Sequence, residues 1–273
     1  GKIVMKAASR HLSSVTLELG GKSPAFVDGT AAVETTAKRL AWGKCLNAGP
    51  ICVAPDYVLV TENAKDALIK SLIEQFDTFF QSSPESSDSY ARIINEKHLQ
   101  RLSQSLMDAT SRGAEILYGG NFNAETRYFQ PTLLEGVPED ARLLEEEIFG
   151  PILPIVTVSG AEEAIAFINQ RERPLALYIY SKDKHTIEQI NTKTRAGSGC
   201  INHNVVHYSN HHLPFGGINN SGIGKSHGFH GFLEFSNQRS IVRQYTPSTI
   251  ELLMPPYTGL KQKMVDATLR WFK

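Results

Sequence analysis

The chain has 273 residues in which 28 Lys and Arg balance 28 Asp and Glu, so no net field draws it to nucleic acid or an anionic membrane. With 41% hydrophobic and 21% charged residues it is no disordered chain and has enough apolar side chains for one large domain or two small ones. Three cysteines make an odd number that describes no disulfide framework and suits a reducing compartment.

In chain order, SVTLEL at 14–19 reads as a first strand, followed by a Gly-Gly turn and a second short apolar run, PAFVD. From Val33, the stripe Ala37, Leu40, Ala41 and Cys45 predicts a helix that Gly49 and Pro50 stop. A strand follows at 57–60, and Ile69, Leu72, Ile73, Phe76 and Phe80 then mark one face of a long helix. The polar, Pro-containing loop at 81–89 ends it at the surface. Leu99, Leu102, Leu106 and Ala109 carry a third helix. Strands read at 115–118, 128–134, 152–158 and 175–180, with helices over 161–171 and 183–195. Alternation of this kind predicts an α/β fold with a parallel sheet covered on both faces. After about residue 235 the pattern loosens into an expected strand and a tail helix.

The apolar run at 148–158 is far short of the roughly 18–20 residues that span a bilayer, and no signal peptide is legible. The absence of an initial Met leads us to expect a piece of a longer protein.

Cys52 lies in a loop between a helix stop and a strand, where backbone can present a thiol to a cleft; to react it needs a base nearby. Cys45, on an apolar helix face, and Cys200, in a short apolar run, read as packing cysteines. Glu18 ends a strand just before Gly20 and Gly21, which allow backbone to approach a ligand closely. A carboxylate at the carboxyl end of a strand faces the usual crevice of an α/β sheet. The glycine-rich stretch 213–228 fails as a phosphate loop, because Asn219 stands where that motif requires Gly. His203 and His207 lack the intervening Glu of a zinc-protease helix, so no metal is expected.

Five segments go further: VTLELGGKSPAFVD, NAGPICVAPDYVLV, EEEIFGPILPI, PLALYIYS and LPFGGINNSGIGKSHGFHGFLEFSNQRS. They resemble, in order, the signatures of the aldehyde dehydrogenase superfamily, and SHGFHGFLEFSNQR and APDYVLV are most similar to its class 3 and fatty-aldehyde branch. The resemblance implies oxidation of medium or long aliphatic aldehydes to acids with NAD or NADP. Cys52 would be the nucleophile that forms a thiohemiacetal and then a thioester, with Glu18 the general base. Glu147 and Phe149 would meet the nicotinamide end of the cofactor, with Leu19 and Gly20 beside the same ring. Phe215 would line the substrate pocket. The backbone N–H of Cys52 would hold the oxyanion.

By the same resemblance, residues 1–20 are a remnant of the cofactor domain, 21–235 the catalytic domain and 236–273 a C-terminal strand and tail serving oligomerisation. Gly1 resembles the last glycine of a cofactor turn, so most of the Rossmann-like domain is expected to be absent. The competing expectation is an inactive fragment or pseudoenzyme that keeps the fold without competent cofactor binding. A homodimer is implied, in the cytoplasm or on a membrane facing the cytosol, with membrane attachment only through a segment not present here. One departure stands out: Pro50 replaces the family's usual Gln, which restricts Gly49 to extended backbone.

Overall fold

The residue pattern PAFV buries all four side chains in β2 (Pro24–Val27), and ALYIY does the same in β9 (Ala176–Tyr180). Strands so uniformly apolar need cover on both faces, and the computed structural model, which describes residues 1–81, 83–246 and 248–272, supplies it. Gly1–Phe235 and Ser236–Lys273 form two compact units.

The first unit opens with α1 (Lys2–Ala8) and β1 (Leu17–Glu18). Beyond β2 come α2 (Val33–Cys45), β3 (Tyr57–Thr61), α3 (Glu62–Phe80) and α4 (Glu96–Ser111). The strands β4 (Glu115–Tyr118), β5 (Phe122–Asn123), β6 (Tyr128–Phe129) and β7 (Thr132–Glu135) precede α5 (Arg142–Glu145) and β8 (Ile152–Val158). Then α6 (Ala161–Asn169), β9, α7 (Lys184–Lys193), β10 (Ser198–Ile201), β11 (Gly222–Ile223) and α8 (Gly228–Glu234) complete it.

One sheet of seven strands runs β10-β9-β2-β3-β8-β7-β4, parallel throughout except for the antiparallel pair of β4 and β7. The two-residue period of its strands divides the core. Ala25, Val27, Val58, Val60, Tyr178 and Tyr180 meet Leu40, Leu68, Phe76 and Leu102 of α2, α3 and α4 on one face. Phe26, Leu59, Leu177 and Ile179 meet Ala164, Ile165, Ile168 and Ile190 of α6 and α7 on the other.

Three elements differ from the sequence reading. The strand expected at 14–19 shrinks to β1, which pairs antiparallel with β11 outside the main sheet. The strand expected at 128–134 breaks between β6 and β7, where Pro131 has no N–H to donate to a ladder. In the second unit, no strand forms among the described residues; α9 (Gly259–Trp271) does. No described helix is long and apolar enough to cross a membrane.

Because β2, β3, β8 and β9 are mutually parallel, the segments that precede them, 19–23, 49–56, 146–151 and 171–175, gather at one edge of the sheet. That edge carries the amino ends of the strands, the opposite of the carboxyl-end crevice expected for Glu18.

Candidate active site

The nucleophile loop is held from three sides. After α2, Asn47, Ala48 and Gly49 all adopt positive φ, at 53°, 55° and 93°. Such a run reverses the chain within three residues. Gly49 is therefore not extended as Pro50 suggested, because glycine can escape the clash with a following proline into a region that other residues avoid. A Cβ at Gly49 would strike the backbone of Gly150, so the loop rests directly on the segment that follows Phe149. On its far side the Tyr178 hydroxyl of β9 donates to the Val53 carbonyl at 2.5 Å.

Cys52 emerges half-buried from this loop. Its thiol is pushed up, first by burial and next by the charge of Glu147, with Glu18 adding a smaller push; the peptide N–H groups of Cys52 and Val53 oppose the shift. Both carboxylates are thus within electrostatic reach of one sulfur.

Glu147 stands over a buried ionic cluster. Lys22 donates to Asp56 Oδ2 at 2.8 Å and to the carbonyls of Leu143 and Glu146 at 2.8 and 2.9 Å. Asp56 Oδ1 accepts from the Ile148 N–H at 3.1 Å and lies 3.8 Å from Lys44 Nζ. Arg101 of α4 donates to the Glu147 carbonyl at 3.3 Å and to that of Ile148 at 2.5 Å. The whole segment carrying Glu147 and Phe149 is therefore fixed through its backbone. Burial and, secondly, the charge of Asp56 raise the Glu147 carboxyl to about 7, against help from the Gly21 N–H and the two lysines. Burial lowers Lys44 to about 8 despite the attraction of Asp56. A Cβ on Gly20 would collide with the Glu147 carboxylate, which gives that glycine a reason beyond the turn itself.

Glu18 has different surroundings. It is exposed on the ribbon of β1 and β11, and its Oε1 accepts from Ser226 Oγ at 2.7 Å. Ser226 also pairs through its backbone with Phe215, N to O at 2.6 Å and O from N at 3.2 Å. Phe215 is buried, and the His227 ring stacks on it at 4.8 Å with Tyr208 edge-on at 5.2 Å. Lys225 donates to the Gly216 carbonyl at 2.9 Å and to those of Gly217 and Gly197 at 3.3 and 3.4 Å. Its ammonium thus staples the glycine-rich loop to the sheet.

Gly20, Gly21, Lys22 and Glu147 share the wall of one open cleft with Arg171 and Arg173. A carboxylate in its wall beside a glycine suits the hydroxyls of a ribose, which donate to it, so the site fits a nicotinamide cofactor of which Glu147 and Gly20 would hold one end. Leu19 and Phe149 are half-buried next to these two residues in the chain; Cys52 and Glu18 lie outside this cleft's wall. Among the described residues no cluster of three or more His, Cys, Asp or Glu is placed to hold a metal ion. Sequence reading missed Lys22, Lys44, Asp56, Tyr178 and Ser226, which sit in or beside recognisable segments but touch the site only once the chain is folded. Cys200 is half-buried rather than packed away, and its Sγ lies 3.2 Å from His207 Nδ1.

Residues 1–241 match the model of the aldehyde dehydrogenase family. The chain is 44% identical to a 4,4'-diaponeurosporen-aldehyde dehydrogenase of Staphylococcus aureus, over 98% of this chain and 57% of that protein. It is also 44% identical to a dimeric, NADP-preferring aldehyde dehydrogenase of Canis lupus familiaris, over 88% of this chain and 52% of that one. The substrate-bound structure of Staphylococcus aureus AldH superposes with a TM-score of 0.94 at 43% identity, covering 100% of this chain and 58% of that one. The chain spans about half the length of the curated relatives it matches.

Proposed function

With a chain that belongs to the aldehyde dehydrogenase family, and within it to the class 3 branch, as premise, we propose that its site oxidises aldehydes to carboxylic acids with NAD or NADP. The observation that carries this reading is a half-buried thiol within electrostatic reach of two carboxylates in contrasting settings, one half-buried and one exposed.

In this reading Cys52, as thiolate, bonds to the aldehyde carbon. Its own peptide N–H would stabilise the resulting oxyanion. The bound nicotinamide supplies the hydride acceptor. The remaining thioester is then open to water: Glu18 takes a proton from the attacking water, the carbon–sulfur bond breaks, and Cys52 leaves as thiolate while the acid departs. Glu147 and Gly20 would hold the ribose end of the cofactor, and Leu19 and Phe149 would meet its nicotinamide ring. Phe215, buried beneath Tyr208 and His227, would back the aromatic side of the substrate pocket, which we propose takes medium or long aliphatic aldehydes. We assign residues 1–20 to the cofactor-domain side, 21–235 to catalysis and 236–273 to association of two copies.

Ester hydrolysis isolates the second half of the reaction, since it needs the thiol and the base but no hydride acceptor. The chain should hydrolyse p-nitrophenyl acetate and acquire an acetyl group on Cys52, seen by intact mass; Cys52→Ala should lose both. Hydrolysis that persists in Cys52→Ala removes the nucleophile from the proposal. In a full-length version of the protein assayed with hexanal, Glu18→Gln should keep a burst of reduced cofactor and slow the steady state. Unchanged turnover would exclude Glu18 as the base.

A further inference from the structure

We infer that Ser226 is a positioning residue for Glu18, holding the base beside the backbone bridge between Phe215 and Ser226; this rests on the role proposed for Glu18. A glutamate on an exposed two-residue strand has freedom about three side-chain torsions, and a general base works only within about 2.6–3.2 Å of the proton it takes. Something must select the productive rotamer. The Ser226 hydroxyl donates to Glu18 Oε1 at 2.7 Å, and its oxygen lies 3.3 Å from the Phe215 carbonyl. Its own position is fixed independently of Glu18, through the paired backbone of Phe215 and Ser226 and through Lys225 on the carbonyls of Gly197, Gly216 and Gly217.

Glu18 is tied to the same construction from its own side, because β1 pairs with β11 and the Leu19 N–H donates to the Ser221 carbonyl at 3.2 Å. The base, the hydroxyl that orients it and the aromatic wall are therefore parts of one small antiparallel assembly. An acyl group on Cys52 thus meets a carboxylate whose direction Ser226 has already set.

The test follows the lifetime of the acetyl group on Cys52 by rapid-quench intact mass after mixing with p-nitrophenyl acetate. Ser226→Ala should leave acylation unchanged and lengthen the acyl lifetime about tenfold, in the range expected when a positioned base is lost in part. Ser226→Thr, which keeps the hydroxyl, should restore the short lifetime. In a Glu18→Gln background Ser226→Ala should add nothing, which a merely structural role would not reproduce. An acyl group whose lifetime lengthens in Glu18→Gln but not in Ser226→Ala overturns this inference alone. Absence of any acyl-Cys52, or a lifetime that Glu18→Gln leaves unchanged, overturns the proposed chemistry and this inference with it.

Discussion

Two carboxylates near one thiol are the same residue type in opposite physical settings. Glu147 sits half-buried over Lys22, Asp56 and Lys44, on a segment whose carbonyls Arg101 holds. Glu18 is exposed, on a two-stranded ribbon, with a serine hydroxyl on its carboxylate. The first setting is rigid and poorly solvated, which suits holding a ligand in one place. The second is wet and oriented by one serine hydroxyl, which suits taking a proton from water and releasing it to solvent. Environment, not residue identity, separates a binding role from an acid–base role.

The largest expected contrast is in stability. Asp56→Ala would strand Lys22 and Lys44 as buried charges, and urea unfolding should show a loss of about 3–5 kcal/mol. Glu18→Gln, at an exposed site, should change stability by no more than about 0.5 kcal/mol. Comparable losses would erase the distinction.

Next, Gly20→Ala places a methyl group against the Glu147 carboxylate and should displace it. Binding of reduced nicotinamide, followed by fluorescence, should weaken about tenfold, equivalent to roughly 1.4 kcal/mol. Unchanged binding would remove Glu147 from the cofactor site.

The pH dependence of unfolding sharpens the comparison further. Glu147 holds its proton up to about pH 7 when folded, against an ordinary 4.5, so the folded chain binds that proton more tightly and stability should fall as pH rises through this window. Lys44 acts with the opposite sign: lowered to about 8 from 10.5, it should let stability rise with pH between those values. Glu147→Gln should flatten the lower slope and leave the upper one, slightly steepened because the Glu147 charge also supports Lys44, as followed by chemical denaturation at a series of pH values. A lower slope that survives the substitution belongs to another group.

The smallest effect concerns the thiols. Cys52 should alkylate first with iodoacetamide at neutral pH: burial and the two carboxylates raise its thiol, but the peptide N–H groups of both Cys52 and Val53 oppose that rise. Cys200 should lag: burial raises its thiol and lowers its neighbour His207 to about 4, so no imidazolium supports a thiolate there. Cys45, wholly buried with its thiol raised by burial, should lag most. Peptide mapping of briefly labelled, folded protein reads the order, and equal labelling would show that Cys52 has no privileged setting.

Composition and hydrophobic period were enough to place α2, α3, α4, β3, β8 and β9 and to foresee a parallel sheet, because each signal lies within a dozen residues of chain and burial on both sheet faces leaves continuous apolar runs. The resemblance of five segments picked out Cys52, Glu18, Glu147 and Gly20. Tertiary structure alone decided where those segments meet. It drew the site to the amino ends of the strands, removed Glu18 from the main sheet, and assembled Lys22, Asp56 and Lys44 from three separate elements. A local pattern cannot encode such contacts: Ser226 and Glu18 are separated by 208 positions in sequence yet 2.7 Å in space, and only the pairing of β1 with β11 brings them together.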